Sequence, residues 1–331
     1  MRTCPIALVL AVVVLAGQDR AEACSVFTAH DGAGAFAGNN EDYYGYIPTI
    51  IWFVPPGEGT YGYVAYGYED NHFSQGGIND QGLFWDGLAT PCLEITGPVG
   101  DKPFVLTALE EVMQVAATVD EAITALREYD FSDALECATL LLADRFGNAA
   151  IFEGDLVTVP GDGKDYLIAT NFIPSQPDLG NYPCWRYETL TGMMEDGFEL
   201  TFDDFAGMAE AAHQGEVSYS GIYTRYTTVA DLVNGVFYLY YDLDWDNPIA
   251  FDLEEELALG EHEYDMIELF YGDSDADGDT DGDADTDTGT DEGDDTDADD
   301  GEDPNCGCST AGRMVRPPTV TALVVSLART L

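Results

Sequence analysis

The chain has 331 residues, of which 46% are hydrophobic, enough to form a sizeable core. It carries 63 acidic against 11 basic residues, a net charge of −52, and residues 273–303 hold 17 of the acids. The remainder is still strongly acidic, which argues against nucleic acid as a partner. The four histidines are scattered and neither His-x-x-x-His nor Cys-x-x-Cys occurs, so we expect no metal site and no cofactor.

Residues 1–23 have the pattern of a secretory signal peptide. An apolar run over residues 6–16 is too short to span a bilayer, and Ala21-x-Ala23 suits signal peptidase. Cleavage there would make Cys24 the first residue of an exported protein, located in the periplasm, at the cell surface or outside the cell. A free N-terminal cysteine offers a thiol nucleophile and an α-amine base with a reference pKa of about 7.7–8.0. A disulfide or a lipid attached to Cys24 is the alternative, although Ala-Glu-Ala fits the lipid pattern poorly.

The first predicted element after Cys24 is a β-hairpin. Two short apolar runs flank the turn at residues 31–34, and the second run ends in Asn39-Asn40-Glu41-Asp42. A hairpin brings residues some eighteen apart to the same end, so these polar residues should return beside Cys24. The Tyr- and Gly-rich segment 43–68 is best explained by packing on a sheet face.

Further strands and helices follow in separate blocks, which predicts layers of helix on sheet in one domain over residues 24–271. The expected strands cover residues 73–76, 83–88, 138–143, 149–152, 156–159, 166–170, 222–229 and 236–241. The expected helices cover residues 104–117, 120–129, 184–194 and 202–213. Export permits a disulfide among Cys92, Cys137 and Cys184, but the sequence leaves the pairing open.

For the C-terminal part, the sequence predicts a linker followed by a tail. Residues 272–305 form an acidic, low-complexity stretch that should be extended and self-repelling. Residues 273–278 match the start of a calcium loop, yet Ala284 stands where a bidentate Glu is required, so a solvated spacer is preferred. Residues 306–331, with Cys306-Gly-Cys308 and a short apolar patch, resemble the surface-sorting tails of myxobacterial exported proteins, which implies a partner in the surface-sorting machinery.

Five motifs, in order, resemble the N-terminal-nucleophile hydrolases of the choloylglycine hydrolase, penicillin V acylase and linear amide C–N hydrolase group. They are Cys24, Gly38-Asn-Asn-Glu-Asp42, Gly77-Ile-Asn-Asp-Gln-Gly-Leu83, Ala169-Thr-Asn171 and Tyr223-Thr-Arg-Tyr226. The resemblance implies an α+β, four-layer αββα sandwich, two antiparallel sheets between helix layers.

The resemblance also implies roles for single residues. Cys24 would be the nucleophile, Asp42 would hold its amine and thiol, and Arg225 would lie nearby as the opposite charge to Asp42. The side chain of Asn171 and the backbone N–H of Ala89 would form the oxyanion hole. Asn39 and Asn79 are the candidate substrate-binding positions. Asn79 matches the Asn of the family's Asn-Glu-x-Gly-Leu turn, which favours a structural role, and Asn39 stands where bile-salt hydrolases have Arg.

The expected function is therefore hydrolysis of a linear, non-peptide amide through a thioester on Cys24, with acyl transfer as a variant and a small-molecule amide as substrate. The departure at Asn39 argues for a divergent specificity. The alternative is a non-catalytic surface-binding protein or lipoprotein on the same fold, with Cys24 blocked. The sequence leaves the oligomeric state open, a homo-oligomer included.

Overall fold

The computed structural model describes residues 24–272, except 70, 71, 98, 106, 133, 134, 181 and 218–220. The strands are, in chain order, β1 (Ser25–His30), β2 (Ala35–Tyr44), β3 (Thr49–Val54), β4 (Tyr63–Tyr68), β5 (Phe73–Asn79), β6 (Leu83–Ala89), β7 (Lys102–Pro103), β8 (Tyr129–Asp130), β9 (Ala138–Asp144), β10 (Ala149–Phe152), β11 (Val157–Thr158), β12 (Tyr166–Ala169), β13 (Ile222–Asp231), β14 (Val236–Tyr241), β15 (Ile249–Asp252) and β16 (His262–Asp265). The α-helices are α1 (Ala108–Met113), α2 (Val119–Leu126), α3 (Trp185–Asp196), α4 (Phe202–Ala211), α5 (Leu253–Ala258) and α6 (Met266–Tyr271).

Fourteen of these strands build two antiparallel sheets. The first sheet has the order β12-β1-β2-β13-β14-β15, and the second has the order β11-β10-β9-β6-β5-β4-β3-β16. Strands β7 and β8 form a separate parallel pair. The central strands β1 and β2 form the predicted hairpin, with Ser25 opposite Asn40. At its turn, the carboxylate of Asp31 accepts hydrogen bonds from the backbone N–H groups of Ala33 and Gly34.

Three apolar cores separate four layers. One core lies between the sheets and includes Val26, Phe53 and Leu141. A second joins the outer face of the second sheet to α1 and α2. A third joins the outer face of the first sheet to α3 and α4, with Phe27 stacked on Phe205. This αββα arrangement confirms the predicted fold class.

The boundaries of α1 differ most from the prediction. The pattern over residues 104–117 predicted a long helix, but α1 ends at Met113. Its last carbonyl accepts a hydrogen bond from the Asn79 side chain, while the N–H of Ala117 donates to the Glu121 carboxylate. Both groups that would continue the helix therefore have other partners.

A disulfide joins Cys92 to Cys137 and does not include Cys184, which keeps its thiol. The pairing follows from the second sheet, where Ala89 at the end of β6 lies opposite Ala138 at the start of β9. The disulfide therefore ties together the chain segments just beyond the paired ends of these strands.

The predicted signal peptide, most of the acidic linker with its calcium-loop pattern, and the sorting tail lie outside the described residues. Within the part of the chain that the structure describes, no helix has both the length and the apolar character needed to cross a membrane.

Candidate active site

Cys24 lies immediately before β1, at the end of the hairpin where Glu41 and Asp42 also lie. Successive residues of a strand point to opposite faces, so Cys24 shares the inner face with Val26, a member of the core between the sheets. Its side chain is buried. The thiol Sγ lies 3.6 Å from Oε2 of Glu41 and 4.0 Å from the backbone oxygen of Asp42.

The environment of the thiol disfavours its ionised form at rest. Burial raises the pKa of Cys24 well above its usual value, and the charges of Glu41, Asp42 and Asp86 raise it further. A hydrogen bond with the Asp42 backbone acts in the opposite direction. The surroundings therefore favour the neutral thiol, and a reaction that uses the thiolate would need a base close to the sulfur.

Asp42 points to the opposite, outer face of the first sheet. Its carboxylate accepts hydrogen bonds from the hydroxyl of Thr224 at 2.5 Å and the amide of Gln214 at 3.0 Å. The Arg186 guanidinium lies 3.6 Å away, and both of these charged side chains are fully buried. Burial raises the pKa of Asp42 to about 6, against the opposing effects of Arg186 and the two hydrogen bonds.

Arg186 is the residue that joins the separate parts of the site. Its Nη1 donates to the backbone oxygen of Cys24 at 2.6 Å and to Oγ of Ser25 at 2.8 Å. Its Nη2 donates to Oδ1 of Asn171 at 2.7 Å. One side chain of α3 thus fixes the first residue of the hairpin, the aspartate and the asparagine together.

Asn171 connects the two sheets. It follows β12 of the first sheet, and its Nδ2 donates to the carbonyl oxygen of Ala89, the last residue of β6 in the second sheet, at 2.7 Å. With Oδ1 held by Arg186 and one amide hydrogen directed at Ala89, the orientation of the whole carboxamide is fixed. The structure thus places Asn171 and Ala89 in contact, and their roles in an oxyanion hole stay predictions.

Arg225 does not pair with Asp42, which corrects the expected ion pair. A register shift between Thr224 and Tyr226 makes Arg225 an extra residue in β13. Its guanidinium lies 3.4 Å from the carboxylate of Asp242 and donates to the hydroxyl of Tyr241 at 2.8 Å. The rings of Tyr46, Tyr223 and Tyr241 surround it. The partner of Asp42 is Arg186 instead.

Asn79 takes the structural role and not the substrate-binding one. Its Nδ2 donates to the carbonyls of Met113 and Ala116, and its Oδ1 accepts from the N–H groups of Gln81 and Leu83. All four hydrogen-bonding positions of the side chain are used within the protein. Asn79 therefore closes the β5–β6 turn and attaches it to α1.

Asn39 lies on the inner face of β2, two residues from Glu41. Its Oδ1 accepts from both the N–H and the hydroxyl of Thr228, at 3.0 and 2.5 Å. Its Nδ2 is buried and has no hydrogen-bond partner within the described residues. A substrate-binding role for Asn39 stays a prediction.

The sequence interpretation missed Arg186 and gave Glu41 no role. Arg186 shares a buried helical stripe with Leu190 and Met194, positions four and eight residues further on. An arginine in an apolar stripe, in a chain with only 11 bases, was the available signal. Glu41 had a similar signal, since alternation along β2 places it on the same face as Ala37 of the inter-sheet core.

No protein-family model matches the chain, and no curated protein matches it. Solved structures do match. Two variants of a conjugated bile acid hydrolase from Clostridium perfringens align with a TM-score of 0.54 each. The first is 16% identical over 72% of this chain and 96% of its own, and the second is 15% identical over 73% of this chain and 97% of its own. A penicillin V acylase from Agrobacterium tumefaciens aligns with a TM-score of 0.50 at 16% identity, over 71% of this chain and 88% of its own. At these identities the matches show a shared fold of two antiparallel sheets covered by helices, and no more than the fold.

Proposed function

We propose that the protein is an exported cysteine amidohydrolase that cleaves a linear, non-peptide amide C–N bond. The observation that carries the proposal is the arrangement of Cys24, Asp42, Arg186 and Asn171, joined by buried hydrogen bonds and one buried ion pair. The similar solved structures, named as a bile acid hydrolase and a penicillin acylase, support the same class of reaction.

The proposed reaction begins when residues 1–23 are removed and Cys24 gains a free α-amine. The amine accepts the thiol proton, and the sulfur attacks the substrate carbonyl carbon. The carboxamide of Asn171 stabilises the resulting oxyanion, a contribution worth about 10²–10³ in rate for one donor. The C–N bond then breaks, the leaving nitrogen takes the proton from the ammonium, and a thioester remains on Cys24. Water hydrolyses that thioester with the same amine as base.

Asp42 and Arg186 have a positioning role in this scheme. Their ion pair lies on the face of the sheet opposite the thiol, and Arg186 binds the backbone oxygen of Cys24. The backbone of the nucleophile is thereby fixed while its side chain faces the space between the sheets. A nucleophile held in this way keeps its orientation through both half-reactions.

The test is a screen of the processed protein against a panel of N-acyl amides. Cys24→Ser and Cys24→Ala should abolish turnover, and the intact mass of the wild type should show an acyl adduct on Cys24. Cys184→Ala is the matched control, because Cys184 is the other buried cysteine of the described chain that forms no disulfide, and this variant should keep its turnover. Turnover near the wild-type rate by Cys24→Ala would refute the proposal.

Processing is tested separately. Intact-mass analysis of exported protein should show Cys24 as the first residue, and protein that retains residues 1–23 should be inactive, since an acylated nitrogen cannot act as the base. A diacylglyceryl mass on Cys24 would instead support the lipoprotein alternative.

A further inference from the structure

Glu41 is buried beside the nucleophile with no role in the reaction described above. Its side chain is 1% exposed, and its two carboxylate oxygens have different partners. Oε2 lies 3.6 Å from the sulfur of Cys24, and Oε1 accepts a hydrogen bond from the hydroxyl of Tyr68 at 2.5 Å. The carboxylate is thus oriented with one oxygen towards the thiol.

The groups that face Glu41 come from the residue before β1 and from three strands packed against it. They are Cys24 before β1, Tyr66 and Tyr68 of β4, Asp86 of β6 and Tyr226 of β13. Asp86 is fully buried, and neither of its carboxyl oxygens has a hydrogen-bond partner within the described residues. Burial, and then the charge of Glu41, raise the pKa of Asp86 well above its usual value. This direction favours the neutral form of Asp86, whereas Glu41 is the carboxyl of this group that contacts the thiol and accepts a hydrogen bond from Tyr68.

We propose that Glu41 is a second acid–base group on the nucleophile, which takes the thiol proton directly from Cys24 and extends amide cleavage to acidic pH. The inference rests on the proposed function. The α-amine, with a reference pKa of about 7.7–8.0, is mostly protonated below neutral pH and cannot serve as the base there. A carboxylate in contact with the sulfur can.

The proton count closes without another reactant. The thiol proton moves from Sγ to Oε2 of Glu41 as the sulfur electron pair forms the C–S bond and the carbonyl becomes an oxyanion. When the oxyanion collapses and the C–N bond breaks, the Glu41 carboxylic acid gives that proton to the leaving nitrogen. In the second half, Glu41 takes a proton from the attacking water and returns it to the sulfur as the C–S bond breaks.

The experiment compares pH–rate profiles of processed wild type, Glu41→Gln and Tyr68→Phe, using an N-acyl amide from the panel. Glu41→Gln should lose kcat/KM by about tenfold or more near pH 5 and by less than about threefold near pH 8.5, where the amine is free. Tyr68→Phe removes the hydrogen bond that stabilises the carboxylate, so its acidic limb should move to higher pH. Glu110→Gln is the control, because Glu110 is a partly buried glutamate that accepts a hydrogen bond from Tyr63, and its profile should match the wild type.

A second measurement separates catalysis from structure. Alkylation of Cys24 by iodoacetamide, followed by mass spectrometry, should be at least as fast in Glu41→Gln as in the wild type near about pH 8.5, since loss of the neighbouring charge favours the thiolate. Near about pH 5 it should be slower, because the base that takes the thiol proton is gone. A Glu41→Gln profile parallel to that of the wild type, or alkylation that is slowed equally near about pH 5 and pH 8.5, would overturn the inference. If Glu41→Gln does not fold, an unmoved acidic limb in Tyr68→Phe overturns it. Turnover by Cys24→Ala would instead refute the proposed function itself.

Discussion

Arg186→Met should destabilise the protein strongly, although it replaces one long side chain by another. The change removes two hydrogen bonds to the hairpin, at 2.6 and 2.8 Å, and one to Asn171 at 2.7 Å. It also leaves the carboxylate of Asp42 buried without its cation, which was 3.6 Å away.

The ion pair sets the magnitude. Removing one partner of a buried pair costs about 3–5 kcal/mol, and the lower end of this range applies here, because the Asp42 carboxyl, with a pKa of about 6, can take up a proton when Arg186 is lost. The three lost hydrogen bonds overlap with this cost and are not added to it. For a domain of this size, the loss corresponds to a fall in Tm of about 10 °C.

Thermal and urea unfolding at neutral pH measure the effect, in a cycle with Asp42→Asn. In the Asp42→Asn background, Arg186→Met should cost less than in the wild type, by about 0.5–3 kcal/mol, since no buried charge is left behind. Arg127→Met is the control, because Arg127 lies exposed at the end of α2 and should change Tm little. A fall in Tm below about 3 °C for Arg186→Met, or additive costs in the cycle, would refute this reasoning.

Three further outcomes are expected. As the pH rises from about 4 to 6, the free energy of unfolding of the wild type should fall by about 3 kcal/mol relative to that of Asp42→Asn. The reason is that the pKa of Asp42 is raised from 3.8 in the unfolded chain to about 6 in the folded protein. The folded state therefore favours the protonated carboxyl, and this stabilisation is complete below pH 3.8 and is lost as the pH rises through 6. Urea titrations at several pH values measure this difference, and equal slopes in both proteins would contradict it. Gly76→Ala should cost about 1–3 kcal/mol, because a Cβ there would lie 2.3 Å from an oxygen of Asp86, whereas Gly192→Ala, in open space on α3, should gain about 0.5–1 kcal/mol. Replacing Cys92 by Ala opens a disulfide with a sequence separation of 45 and should cost about 4 kcal/mol in urea unfolding; an unchanged midpoint would exclude the chain-entropy account.

The parts of the fold that follow from local patterns could be predicted from the sequence. The β1–β2 hairpin was predicted from its turn, β10 and β14 were predicted with their observed ends, and α4 begins at the predicted residue. The strands β3 and β4 were not separated within the Tyr-rich segment. All six residues of β4 are buried, so alternation of polar and apolar residues gives no signal there. The elements from β15 to α6 were also missed, because each is only four to six residues long and too short to show a periodic pattern.

The candidate site could be predicted only as far as each residue stands in a motif. Asp42 and Asn171 were found in this way and lie on either side of Arg186. The partner of Asp42 was predicted incorrectly, because Arg186 reaches it from a helix 144 positions further along the chain, and no local pattern encodes that distance. Glu41 lies inside the motif, but its contact with the sulfur depends on how the strand faces the second sheet.

The two faces of the first sheet carry different parts of the candidate site, and this affects how substitutions would act. Asp42 and Arg186 lie on the helix-covered side of the first sheet, whereas Cys24 and Glu41 lie on the side towards the second sheet. A library of variants confined to the second sheet and its loops could therefore alter the side chains around the thiol of Cys24 without changing the ion pair between Asp42 and Arg186. Variants in α3 would do the reverse and change how firmly the backbone of Cys24 is held. Directed evolution of this scaffold can accordingly treat selectivity and positioning as two separate sets of residues.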